Sequence, residues 1–161
     1  MRILGIDPGT GILGFGVIDV SVKGKVTMVD AGVIRTPVKQ PDSDRLFTIF
    51  EELNQIITEL KPQALSVEKL FFSQNVTTAM SVSQARGVVL LLGKQYDLEL
   101  HEYTPQQIKQ AITGYGKADK KQMQEMVRVI LGLSEVPKPD DCADALAAAI
   151  CHSMTQQFPA A

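Results

Sequence analysis

Cysteine is scarce in this chain of 161 residues: there are two, Cys142 and Cys151, nine positions apart. That spacing is not the spacing of a zinc site, and both read as small buried residues of a reducing cytoplasm. Long apolar runs are missing. None approaches the roughly 20 residues a bilayer requires, and Met1–Asp7 has no apolar stretch of the kind a cleavable leader carries. The expectation is a cytoplasmic protein. Repeats, low-complexity tracts and linkers are absent as well, so residues 1–161 are expected to form a single domain. Nor is there an excess of positive charge. With a net charge of −2 and a pI near 5.7, the chain is not one held to nucleic acid by bulk electrostatics. What is present is ample apolar content, 45 %, with 21 % charged residues, which suits a folded domain with a sizeable core and excludes a disordered chain.

The order of elements is readable. Met1–Ile6 is a short apolar strand, Gly14–Val20 a second after a glycine-rich turn, and Lys25–Arg35 a third, which makes an antiparallel meander. Leu46, Ile49, Phe50, Leu53, Ile56, Ile57 and Leu60 follow a helical period that Lys61-Pro62 stops. Ala64–Val67 reads as a buried strand, residues 76–94 as a helix and Leu98–Tyr103 as a last strand. Thr104-Pro105-Gln106-Gln107 has a capping Thr, a first-turn Pro and a Gln three after the cap, so a helix starts there. Asp119 starts another, with Met123, Met126, Val127, Ile130 and Leu131 on its apolar face and Gly132 at its end. The last helix runs from about Asp140 to Thr155. The order β-β-β-α-β-α-β-α-α-α predicts an α/β fold, a mixed five-stranded sheet flanked by helices.

Gly9-Thr10-Gly11-Ile12-Leu13-Gly14 matches the dinucleotide fingerprint by letter. That fingerprint works only where a helix begins, because the helix N-terminus holds the pyrophosphate. Phe15–Val20 is strand-like, so the dinucleotide reading is rejected and the glycines are assigned to a tight turn beside Asp7.

The acids carry the chemistry. Asp7 and Glu68 each end an apolar strand. Taken alone, either is explained as a turn former or a solvated strand end; in a sheet with helical crossovers, however, strand ends gather at one crevice. Asp140, Asp141 and Asp144 open the last helix. First-turn acids are favoured by the helix dipole, and that suffices for Asp140. It does not account for Asp144, a turn in and followed by the apolar Ala145–Ile150. Asp141 and Asp144, three apart, share a face, and the alanines let the helix approach the sheet closely. Four carboxylates meeting at one place, Asp7, Glu68, Asp141 and Asp144, repel each other unless cations intervene, and all-oxygen donors suit Mg²⁺ or Mn²⁺. Two such ions can activate a water and stabilise the leaving oxygen of a phosphodiester. Discounting those four acids turns the charge of the remainder positive. The chain shows no Ser–His or Cys–His pairing that would compete; His101 and His152 read as a strand-surface and a late-helix residue, each without a visible partner.

Lys117, Lys120, Lys121, Gln124 and Arg128 lie near one helical face, with Lys109 just before. A solvated charged face and a phosphate-binding face both fit this stripe, and Gly114-Tyr115-Gly116 could add backbone amides. Phe71-Phe72, directly after the Glu68 strand and before the helix-start residues Ser73-Gln74-Asn75, fit either burial or stacking on bases. Gly87, inside a helix, suggests close packing of another helix or of a substrate backbone beside Arg86.

Gly5-Ile6-Asp7-Pro8-Gly9-Thr10, Val67-Glu68-Lys69-Leu70-Phe71-Phe72, Gln84-Ala85-Arg86-Gly87 and Asp141-Cys142-Ala143-Asp144-Ala145-Leu146-Ala147 together resemble the RuvC family of bacterial Holliday-junction resolvases. Ile108-Lys109-Gln110, Thr113–Gly116 and Lys120-Lys121-Gln122 are similar to that family too, and the likeness runs from residue 2 to about 152. It implies an RNase H-like fold and a homodimer that nicks a four-way DNA junction symmetrically, in recombination and repair. It implies Asp7, Glu68, Asp141 and Asp144 as ligands of Mg²⁺, two ions per site with Mn²⁺ as a substitute. Among DNA contacts it implies support of catalysis by Lys109 and Lys120 and base contact by Phe71. Phe72, Arg86, Lys117 and Lys121 complete the expected DNA-binding set. It further implies work beside a branch-migration motor of the RuvA and RuvB type in a bacterial cytoplasm. The acidic balance, and the lack of the basic tail some relatives have, are expected to weaken DNA binding and its salt tolerance.

Two other readings use the same residues. One is an RNase H-like nuclease for another DNA or RNA structure. The other is an actin-like ATPase or sugar kinase, suggested by Asp7-Pro8-Gly9-Thr10; it needs a duplicated half that 161 residues cannot hold.

Overall fold

A computed structural model of the protein describes residues 1–70 and 76–157. Five strands, β1 (Arg2–Asp7), β2 (Ile12–Val20), β3 (Val26–Arg35), β4 (Ala64–Glu68) and β5 (Glu99–Tyr103), form one sheet in the order β3-β2-β1-β4-β5. The first three run antiparallel and β4 and β5 are parallel to β1. The parallel pairs need crossovers, supplied by α1 (Asp42–Leu60) between β3 and β4 and by α2 (Val76–Gln95) between β4 and β5. Three helices follow, α3 (Pro105–Thr113), α4 (Lys120–Leu131) and α5 (Asp140–Gln157). The mixed five-stranded sheet with flanking helices is as the sequence predicts. The glycine-rich turn leads into a strand and not a helix, which removes the dinucleotide site physically.

Alternation along each strand divides the core in two. Leu4, Ile6, Leu13, Val17, Leu65 and Val67 face α1 and α2, where Ile49, Leu53, Ile57, Ala85, Val89 and Leu92 meet them. Ile3, Ile18, Ala64 and Tyr103 face the other way, towards α3, α4 and α5. Period 2 then places Gly5 and Asp7 of β1, Gly14 and Gly16 of β2, and Ser66 and Glu68 of β4 on the α5 side.

The helix ends are set locally. Lys61, in the left-handed region at φ 50°, donates its N–H to the Ile57 carbonyl and ends α1. Thr104 and Asp119 each close a capping box, with Gln107 and Gln122 respectively. Gly114 and Gly132 end α3 and α4 at φ 75° and 65°. Among the described residues no helix is long and apolar enough to cross a membrane.

Candidate active site

Helix α5 lies against the sheet at backbone distance. A Cβ on Gly5 would stand 2.0 Å from the Ala145 carbonyl oxygen, and one on Gly14 would stand 2.1 Å from that of Asp141. Only glycine permits this approach, and only small residues on the helix match it: Ala143, Ala145, Ala147, Ala148 and Ala149 are all buried. Ser66, fully buried on β4, donates its hydroxyl to the Ala148 carbonyl at 2.6 Å. The helix is thereby fixed along its length, antiparallel to β1 and β4, with its N-terminal turn over their carboxyl ends.

That placement gathers the acids. Ile6 pairs with Val67 in the parallel register, so the next residues, Asp7 and Glu68, end neighbouring strands about 4.8 Å apart. Asp7 is opposite Gly14, the residue on which Asp141 rests. Rows four residues apart on α5 run Asp141–Ala145–Ala149 over β1 and β2, and Asp144–Ala148–His152 over β4 and β5. Burial pushes the Asp7 carboxyl up to about 8, with further upward pressure from Asp144, Glu68 and Asp141, in that order, and relief from Lys120. Glu68 is raised by burial and then by Asp144, with Lys109 opposing. Asp144 is raised by burial, lowered by Lys120, and raised by Asp141 and Asp140. The four carboxylates and two of the lysines therefore share one electrostatic site.

Lys120 opens α4 beside the mouth of this site. Its Nζ is 2.9 Å from Asp140 and 4.0 Å from Asp144. Asp140, exposed, is held below the usual carboxylate range by the hydrogen bond from Lys120. Thr10, in the turn after Asp7, donates to Ser81 of α2 at 2.8 Å, and the Thr36 hydroxyl donates to the Thr10 carbonyl, so the turn is anchored on both sides.

A family profile described as "Crossover junction endodeoxyribonuclease RuvC" matches residues 3–152. The chain belongs to the RuvC family. The RuvC of Heliobacterium modesticaldum is 54 % identical over 157 residues, 96 % of each chain. The solved structure of Thermus thermophilus RuvC superposes with a TM-score of 0.91 at 36 % identity, covering 98 % of this chain and 96 % of that one. The same protein in complex with Holliday junction substrate gives 0.90 at 33 % identity, covering 99 % and 97 %. The fold is accordingly the RNase H-like fold of the RuvC resolvases, and the family membership implies metal-dependent catalysis.

The remaining residues singled out in the RuvC-like motifs fall in several places. Lys117 and Lys121 are exposed near α4, and Lys109, on α3, is half-buried on the Glu68 side. Arg128, on the same basic face, is engaged by Glu125 at 2.6 Å and by the Leu133 carbonyl at 3.0 Å. Arg86 is ion-paired with Glu102, and its Nε is buried without a hydrogen-bond partner among the described residues. Phe71 and Phe72, with the helix-start residues after them, lie outside the described residues. Gly87 needs correction in part: among the described residues no helix packs on it, and a Cβ there would meet nothing within 4 Å.

The two histidines are the larger correction. Each was expected to lack a partner. Their rings stack, centroids 4.0 Å apart, and His152 is fully buried with Nδ1 2.8 Å from the Tyr103 hydroxyl. Burial, then the neighbouring His101, push the His152 imidazole down to about 4. The alternation Glu99, His101, Tyr103 and the row Asp144–Ala148–His152 are the sequence signals that point to this contact.

Proposed function

We propose that residues 1–161 act as one nuclease domain, paired as a homodimer, that resolves four-way DNA junctions by symmetric hydrolytic nicks. As a RuvC family member the chain is a crossover junction endodeoxyribonuclease, a hydrolase of DNA recombination and repair. Asp7, Glu68, Asp141 and Asp144 are the proposed catalytic residues and ligands of two Mg²⁺ ions, with Mn²⁺ able to substitute. The observation that carries this reading is the convergence of the half-buried Asp7, at the end of β1, with three further carboxylates from β4 and α5. Such a cluster is costly without a cation, and its oxygen-only donors fit Mg²⁺. Bound there, the ions would supply an activated water and charge stabilisation at the leaving oxygen.

The chain's own side chains do the rest. Asp7 and Glu68 stand on rigid strand ends, and Asp141 and Asp144 on the first turns of a helix clamped by glycine and alanine contacts, so the backbone that carries the donor set is fixed before the ions arrive. Lys120 and Lys109 approach it from α4 and α3, placed to bind the non-bridging oxygens of the reacting or adjacent phosphate. Lys117, Lys121 and Arg86 are proposed contacts to the DNA backbone further out. Phe71 and Phe72, next in sequence after β4, are proposed to stack on junction bases.

A two-fold junction needs two matched cuts, which a symmetric dimer supplies. Helix α2 supports one: it is apolar on both sides, with Ala85, Val89 and Leu92 buried while Met80 and Leu91 are 63 % and 62 % exposed. Work in a bacterial cytoplasm beside a RuvA and RuvB type motor is part of the proposal, supported by the family membership. The test is cleavage of a synthetic four-way junction and its linear duplex, in Mg²⁺ and in EDTA. Symmetric nicks in the junction alone, abolished by EDTA, are expected; equal cutting of both DNAs would remove the junction from the proposal.

A further inference from the structure

We infer that Glu99, His101 and His152 form a second metal site, for a borderline cation such as Zn²⁺, separate from the carboxylate site and built from a different donor chemistry. Among the described residues this is the one group of Asp, Glu, His and Cys in which a donor atom from each of three residues lies within 4.8 Å of the others. Glu99 and His101 are two apart on β5, so both face α5, and His152 ends the α5 row that begins at Asp144. His101 Nε2 is 2.8 Å from Glu99 Oε1.

His152 supplies the second, independent observation. It is fully buried, yet its Nε2 has no hydrogen-bond partner among the described residues, while Nδ1 is engaged by the Tyr103 hydroxyl at 2.8 Å. A buried polar atom without a partner is costly in either tautomer. With Nδ1–H donating to Tyr103, Nε2 presents a lone pair, which is how a ligating imidazole is oriented: one nitrogen on the metal and the other fixed by an outer partner. Two imidazoles and one carboxylate are a zinc-type donor set with a fourth position left for water. Glu99 is exposed and His101 half-buried, so the site has an entry from solvent. Binding would turn the half-buried His101 ring out of its stack on His152 so that both lone pairs meet one ion, exchange the His101–Glu99 hydrogen bond for metal bonds, and tie β5 to the C-terminal half of α5, the helix that carries Asp141 and Asp144.

The test uses the full chain in excess Mg²⁺, titrated with ZnCl₂ and followed by calorimetry and thermal unfolding, with Co²⁺ absorption as a report on nitrogen ligation. His101→Gln and Glu99→Gln are the variants, because both positions reach solvent and neither should threaten folding; Asp7→Asn is the control for the carboxylate site. The expected result is one Zn²⁺ per chain and a higher Tm, affinity reduced at least tenfold in His101→Gln and Glu99→Gln, and no change of affinity in Asp7→Asn. No zinc binding under Mg²⁺, equal binding by His101→Gln, or loss in Asp7→Asn would each overturn the inference.

Discussion

At the scale of single residues, the proposed chemistry rests on carboxylates kept together against their mutual repulsion. Asp7 has a folded-state pKa of about 8 against 3.8 for a free side chain, so between those values the folded chain holds a proton that the unfolded chain releases. The Asp7 contribution to stability of the metal-free protein therefore falls as pH rises from about 4 to 8, the reverse of a salt-bridged aspartate. His152, pushed down from 6.5 to about 4, works in the opposite sense below 6.5, so the net decline belongs to the range from about 6.5 to 8. Unfolding followed across that range should show this decline in the wild type, a shallower one in Asp7→Asn, and its removal by Mg²⁺. An identical slope in Asp7→Asn would place the proton elsewhere. Lys120 belongs to the same scale. Its ammonium group sits beside Asp140 and Asp144, where an incoming phosphate would meet it. Lys120→Ala should lower the single-turnover cleavage rate by at least tenfold while junction affinity changes less; equal losses would make it a binding residue only.

At the scale of elements, the site depends on how closely α5 can lie on the sheet. Gly5 and Gly14 leave no room for a Cβ, and what such an atom would strike is helix backbone, which cannot rotate aside. Gly14→Ala should cost about 1–3 kcal/mol through overpacking and also displace Asp141. The measurable pair is a lower Tm together with weaker Mg²⁺ binding; a normal Tm with normal metal binding would show that the helix yields freely. The elements themselves were legible because their signals are local: the capping boxes at Thr104 and Asp119, the αL glycines Gly114 and Gly132, and period-2 strands ending in Asp7 and Glu68. The convergence of the acids was legible as well, since strand ends in a crossover sheet share one edge and Asp141 and Asp144 share a helix face. What lay beyond the sequence was pairing between distant elements. Arg86 reads as a DNA contact, and its ion pair with Glu102 of β5 is not visible in the sequence. His101 and His152 are 51 positions apart and stack only because the Ser66–Ala148 contact fixes the slide of α5 over β4. Gly87 reads as a packing glycine, and the partner it suggests is not among the described residues.

At the scale of the whole molecule, an acidic chain is proposed to cut an anionic polymer by concentrating its acids at one edge and ranging its lysines around them. Symmetric cutting adds the need for a second copy, and the exposed apolar residues of α2 are where that copy is expected to bind. Leu91→Asp should shift the protein from dimer to monomer in light scattering and leave its helical content intact, with paired nicking lost along with the dimer. A dimer that survives Leu91→Asp would place the interface elsewhere. The central claim is that Asp7, Glu68, Asp141 and Asp144 constitute the catalytic centre, and single-turnover cleavage of a four-way junction by Asp7→Asn tests it most directly. The account predicts a folded protein that still binds the junction, with cleavage in Mg²⁺ reduced by at least three orders of magnitude. Cleavage within a few-fold of wild type would contradict it.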